Sequence, residues 1–104
     1  MIQSEFYQML KTSGYPVAFN EFKIAPTIPF IVYLKVTNNT FFADGKVHFK
    51  SPAYRVELYT SAKDYAAENA LEATFDSHSL CYEKDRVFIE SESLYQTTYE
   101  IGGI

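Results

Sequence analysis

Between residues 54 and 60 the chain alternates strictly, with Tyr54, Val56 and Leu58 at every second position and Arg55, Glu57 and Tyr59 between them. A period of two gives an extended ribbon with one apolar face, which needs strands beside it and a covering layer above it. The same period recurs in two other places. Residues 30–37 set Phe30, Val32, Leu34 and Val36 against Tyr33, Lys35 and Thr37, and the first row is expected to face the core. Near the end, Tyr95, Thr97, Tyr99 and Ile101 alternate with Leu94, Gln96, Thr98 and Glu100.

Shorter extended pieces fit between these. Residues 17–22 read as a brief extended stretch, and Pro26 and Pro29 bracket a rigid connector because each biases its predecessor away from helix. Asn38-Asn39 is a turn pair, residues 40–43 a short strand, and Asp44-Gly45 carries strong hairpin chemistry. A long strand is expected over residues 46–60, interrupted near Pro52, which lacks the N–H that a ladder needs. Lys84-Asp85 reads as a turn between strands over residues 80–83 and 86–90.

Two segments carry the helical period that a cover requires. Ile2, Phe6, Met9 and Leu10 recur at spacings of three and four, and Gly14 and Pro16 end that helix. Ala67, Leu71 and Phe75 form an i, i+4 stripe in the second, with Ser61 as the expected N-cap and Asp64 near the positive helix end. The expected fold is therefore α+β, with a mostly antiparallel sheet of four to six strands and two helices packed on one face. At 104 residues the chain affords one core, so residues 1–104 form a single domain.

Composition narrows the function. A net charge of −4 gives no basic field for gripping phosphate, so specific nucleic-acid binding is not expected. The lone Cys81 forms no intrachain disulfide, and the fold must rest on its apolar core in a reducing compartment. No basic segment precedes an apolar run near the start, and no run approaches the ~18 apolar residues of a membrane span. A soluble, unexported protein is expected.

Charge is divided unevenly. Residues 1–52 hold five Lys and three acids, a balance of +2, whereas residues 53–104 hold four cations and ten acids, a balance of −6. A subunit that meets copies of itself head to tail needs two unlike patches of this kind, while mixing in the folded surface would erase the division. Asp64, Glu68, Glu72 and Asp76 form an i+4 row of acids on the second helix. Each like-charge neighbour costs ~0.2–0.5 kcal/mol in an isolated helix, so the row is either an ordinary solvated face or lies against a basic surface. Phe41 and Phe42 are adjacent, so on a strand they point to opposite faces, one of them toward a second covering layer or an assembly contact. Glu90 and Glu92 share a strand face and, with Tyr95 or Tyr99, form a candidate docking surface or a plain solvent face.

No catalytic or metal-binding constellation stands out. His78 and Cys81 are three apart, but there is no CxxC and no HExxH, and His48 lies in another segment. Glu21-Phe22-Lys23 has the Glu-x-Lys form of some metal-dependent nucleases, without an acid on a preceding strand to complete it. P-loop, GxSxG and GxGxxG motifs are absent. No cofactor is expected.

The order of several segments resembles a known group. These are Tyr15-Pro16-Val17-Ala18, Pro29-Phe30-Ile31-Val32-Tyr33-Leu34, Phe41-Phe42-Ala43-Asp44 and Tyr54-Arg55-Val56-Glu57-Leu58-Tyr59-Thr60, followed by Tyr82-Glu83-Lys84 and the run from Ile89 through Glu100. Together they resemble the tail-completion or tail-terminator proteins of siphophages and Gram-positive prophages, the family of phage lambda protein U. The resemblance implies a non-enzymatic subunit that forms a ring with itself, typically a hexamer, on the last ring of the tail tube. Its implied partners are the tail tube protein and the head connector or completion protein, with DNA passing through the lumen and no membrane contact. Such a subunit resides in the host cytoplasm during assembly and then at the head-proximal end of the virion tail. A head-completion protein on the portal side, or a small interaction module outside any phage, are the alternatives.

Overall fold

The computed structural model describes residues 2–24, 26–36, 42–43, 46–47 and 53–102. In chain order they form α1 (Gln3–Lys11), β1 (Val17–Phe19), β2 (Phe30–Val36), β3 (Phe42–Ala43), β4 (Lys46–Val47), β5 (Ala53–Thr60), α2 (Tyr65–Ser77), β6 (Tyr82–Ile89), a 3-10 turn (Glu90–Glu92) and β7 (Leu94–Ile101). The main sheet has the order β1-β2-β5-β7-β6, and β3 and β4 pair as a separate hairpin. Every pairing is antiparallel except β1 with β2. This is the α+β class, with a five-stranded, mostly antiparallel sheet and two helices. No helix among the described residues is long and apolar enough to cross a membrane.

Register decides which residues meet the helices. Tyr54, Val56 and Leu58 on β5 stand opposite Lys35, Tyr33 and Ile31 on β2 and opposite Ile101, Tyr99 and Thr97 on β7. That face packs against Phe6, Met9 and Leu10 of α1 and Ala67, Leu71 and Phe75 of α2, all buried. Phe6 lies flat on Tyr54 with ring centroids 4.2 Å apart, and Phe75, Tyr82 and Tyr99 meet pairwise at 5.3–5.4 Å. Rigid aromatic pairs in these offset and edge-on arrangements add about 0.5–1.5 kcal/mol each beyond the area they bury.

β2 reverses the expectation for its faces. Ile31 and Tyr33 face the helices, whereas Phe30, Val32, Leu34 and Val36 lie on the other side of the sheet. The core-facing row is apolar only at Ile31 and Tyr33 and ends in exposed Lys35; the cross-strand neighbours Leu58 and Val56 select it for the core. The longer row forms an apolar end to the opposite face, where Phe30 stacks on Tyr59 at 5.0 Å and receives the edge of Phe22 at 5.5 Å.

Helix ends are set locally. The backbone N–H of Ile2 donates to Glu5 at 2.9 Å at the start of α1, and Gly14, with φ +94°, turns the chain after it. At the start of α2, Asp64 Oδ1 accepts from the Ala67 N–H at 3.0 Å, so the cap is Asp64 and not Ser61. The end of α2 is a Schellman turn: Leu80 N–H bonds Phe75 O at 3.0 Å and Ser79 N–H bonds Asp76 O at 3.0 Å. Ser79 takes the left-handed conformation, φ +56°, that glycine usually supplies there.

Two strand expectations change as well. β6 runs unbroken through Lys84-Asp85, because charged residues sit in a strand without cost when each face offers them a partner or solvent. Glu90 and Glu92 are not on a strand face; they lie in the 3-10 turn that joins β6 to β7, closed by Ser93 at φ +52°.

Candidate functional site

The charged residues of α2 and β6 come together over the β7 end of the sheet. Alternation along β6 directs Tyr82, Lys84, Arg86 and Phe88 to the helix side, in register with Ile101, Tyr99, Thr97 and Tyr95. Above them, α2 presents Glu68 and Glu72. Arg86 donates to Glu68 through Nε (2.9 Å to Oε2) and Nη2 (2.6 Å to Oε1), and Lys84 Nζ reaches Glu68 Oε1 and Glu72 Oε2, each at 2.7 Å. Thr97 Oγ1 donates to Glu68 at 3.3 Å, and the Tyr99 hydroxyl to Glu72 at 2.7 Å. The Lys84 ammonium lies 5.9 Å from the Tyr99 ring centre, and the Arg86 guanidinium 5.4 Å from that of Tyr65.

Glu68 is 1% exposed. Burial works to raise its pKa, but the hydrogen bonds from Arg86 and Lys84 prevail and hold the carboxyl at about 2. Glu72 is likewise lowered, with the Lys84 and Tyr99 bonds overcoming its burial. Lys84 is pushed up by the two carboxylates despite its own partial burial. Tyr99 is pushed well above its ordinary value, first by burial and then by donating to a carboxylate. Two carboxylates and two cations balance, and no buried side-chain nitrogen or oxygen among the described residues lacks a partner. The network fixes α2 on the sheet through charge-assisted bonds whose buried acceptors are all taken.

The acidic row is thus divided among three roles. Asp64 caps α2, Glu68 and Glu72 are bound inside the subunit, and Asp76 is exposed at the far end. The expectation of a row solvated along its whole length fails for Glu68 and Glu72. Residue 68 is only 100° around the helix from Ala67, so it falls within the broad buried stripe of Ala67, Leu71, Thr74 and Phe75 and not opposite it. The basic surface that relieves the row is the chain's own β6. Lys84, Arg86 and Thr97 are the members that sequence reasoning missed, and Tyr99, expected on a docking surface with Glu90 and Glu92, is instead buried in this network.

The other proposed residues lie apart from this network. Glu90 and Glu92 are exposed in the β6–β7 turn. Phe42 belongs to β3, Phe41 and His48 lie outside the described residues, and no side-chain position is described for Phe42. Cys81 is exposed, and the His78 imidazole caps the end of α2 through Nδ1, 3.0 Å from the Thr74 carbonyl. No group of three or more His, Cys, Asp or Glu among the described residues is placed to hold a metal.

The face away from the helices is open and polar toward β6. There Arg55 pairs with Glu100 at 2.7 Å, and Gln96, Tyr59 and Glu57 form a chain of bonds at 2.9 and 3.0 Å. Glu83 and Asp85 are exposed beside them. At the far end of β6, Val87, Phe88 and Tyr65 are 44%, 51% and 59% exposed.

No family model matches this chain, and comparison with curated proteins and with solved structures finds no match.

Proposed function

We propose that the chain is a structural subunit of a phage tail, a tail-terminator or tail-completion protein that forms a ring, typically a hexamer, on the tail tube and offers its outer surface to the head connector. The observation that carries this reading is the ordered run of segments from Tyr15 to Glu100 that resembles that family. Those segments contribute to β1, β2, β5, β6 and β7, every strand of the main sheet. The charge division supports it, since exposed Lys11, Lys23 and Lys35 belong to the first half of the chain and exposed Glu83, Asp85, Glu90 and Glu92 to the second. Unlike patches on one subunit suit a head-to-tail contact, and an acidic subunit suits a lumen that lets DNA pass without holding it. In this reading the protein has no catalytic role, works in the host cytoplasm during assembly and ends at the head-proximal tip of the tail.

The test is assembly with a tail tube protein from the same genome. Light scattering and electron microscopy of the mixture should show a ring seated at one end of each tube and a narrowed distribution of tube lengths. Tubes of unchanged length with this chain still monomeric would end the proposal.

A further inference from the structure

The main sheet ends in β1 on one side and β6 on the other, and among the described residues no strand pairs with the outer side of either. The Ile31 N–H donates to Pro16 O at 2.8 Å and the Asn20 N–H to Tyr33 O at 2.9 Å, so Val17 and Phe19 turn their own N–H and C=O away from β2. Hydrogen-bonded pairs alternate along an antiparallel ladder. Carried through the unbroken registers of β2 with β5, β5 with β7 and β7 with β6, that alternation turns the N–H and C=O of Tyr82, Lys84, Arg86 and Phe88 outward on the other edge. Both outward sets carry their side chains on the helix side. β1 runs parallel to β2 and β6 runs against it, so the β6 edge of one molecule meets the β1 edge of another as an antiparallel pair with matching faces.

The two edges also match in chemistry. Six large apolar side chains are exposed among the described residues, and four of them, Phe19, Tyr65, Val87 and Phe88, flank these edges. We propose that β1 of one copy adds to β6 of the next, with Val17 opposite Phe88 and Phe19 opposite Arg86. On the helix side Phe88 then covers Val17, and Phe19 lies on the aliphatic stem of Arg86. On the open side Ala18 meets Val87, a small side chain against a larger one. The chain entering β1, with exposed Lys11, comes to the end of β6 where exposed Glu90 and Glu92 stand, so opposite charges meet there. The contact joins unlike edges, so it repeats from copy to copy and closes as a ring when the rotation allows. Three residues of β1 hold a lone pair of molecules weakly, and closure strengthens the contact because each copy is then held on both sides. The inference rests on the ring reading for the number of copies, and supplies that reading with its interface.

Disulfide trapping in the full chain, alone over a range of concentrations and with tube protein, tests the inference. Cys81→Ser removes the native exposed thiol from all variants. Ala18 and Val87 would form a non-hydrogen-bonded pair, with Cα atoms about 4.5 Å apart and within disulfide reach. Ala18→Cys with Val87→Cys should therefore oxidise to a ladder of covalent oligomers. Either substitution alone should give no covalent dimer, and a mixture of the two single variants should give dimers only. Assembly should slow hydrogen exchange of the Arg86 and Phe88 amides, and Phe88→Glu should weaken association by about tenfold with circular dichroism unchanged. Val87→Cys linking to its own kind would show two β6 edges paired and would overturn the inference. Rings seated on tubes, without the ladder and with those amides exchanging as fast as in the dilute monomer, would overturn the strand addition and leave the terminator reading standing. A ladder from a chain that never seats on tubes would support the strand addition and end the terminator reading. A chain that stays monomeric under all these conditions would overturn both.

Discussion

Arg86 lies against Glu68 as a two-pronged fork, with Nε 2.9 Å from one carboxylate oxygen and Nη2 2.6 Å from the other, across the seam between α2 and β6. The pair is asymmetric. The Glu68 side chain is 2% exposed, whereas Arg86 and Lys84 retain 25% and 33% exposure and can turn toward water. Removing Arg86 takes two charge-assisted bonds from a buried carboxylate that then keeps only Lys84 and Thr97; removing the carboxylate leaves cations that solvent can receive, and Lys84 still holds Glu72.

Arg86→Met is therefore expected to be the most destabilising single change in this network. Glu68→Leu should be milder, and the double variant should be more stable than Arg86→Met alone, since an apolar pair of similar volume needs no desolvated charge. Urea denaturation midpoints of the three variants measure the order. If Glu68→Leu proved worse than Arg86→Met, the argument from an under-partnered buried carboxylate would be wrong.

Stability should fall on acidification over a defined window. The folded-state pKa of Glu68, about 2, lies below its ordinary value of 4.5, so its contribution is fully present above about pH 4.5 and is lost as pH drops through about 2. Linkage sets that contribution on the order of 3 kcal/mol, and Glu72 acts in the same direction. Urea midpoints measured between about pH 5 and pH 2 should decline steeply for the native chain and more shallowly for Glu68→Gln.

The start of α2 separates two candidate caps. Asp64→Ala should cost about 0.5–2 kcal/mol because it frees the Ala67 N–H. Ser61→Ala, at an exposed position outside the helix, should remain within about 0.5 kcal/mol of the native chain. Equal costs from thermal melts would mean that the Asp64 bond contributes nothing.

Much of this fold is legible in period alone, and the exceptions have physical causes. The alternation at Tyr54, Val56 and Leu58, and at Thr97, Tyr99 and Ile101, identifies the helix-covered face because only one of their two rows is apolar. In β2 the core-facing row, Ile31 and Tyr33, ends in Lys35, so period points to the longer apolar row, and the register with β5 overrides it. Lys84-Asp85 looks like a turn to any reading that scores charge pairs locally. The charged seam carried a signal that local reading overlooks: an i, i+4 step on a helix rises ~6 Å and an i, i+2 step on a strand ~6.6 Å. Glu68 and Glu72 therefore match the spacing of Lys84 and Arg86, a correspondence visible only when one segment is laid over another.

The same seam governs behaviour in alkali. Tyr99 donates its hydroxyl proton to Glu72 from a buried position, and burial together with that carboxylate raises its pKa far above the ordinary 10. Tyr33, Tyr54, Tyr59 and Tyr82 are raised as well, in each case first by burial. A folded-state pKa raised above the unfolded value gives stability that is complete below about pH 10 and is lost as pH rises beyond it. Ionisation of these tyrosines should consequently follow unfolding and not precede it, so tyrosinate absorbance and loss of circular dichroism should rise together through the alkaline transition. Tyr99→Phe should cost about 0.5–1.5 kcal/mol at neutral pH, for the lost bond to Glu72. It should also make the alkaline transition less steep, since the unfolded chain then releases one proton fewer. A native-state titration in which all nine tyrosines ionise near pH 10 with the fold intact would show that the hydroxyl is not sealed beneath α2.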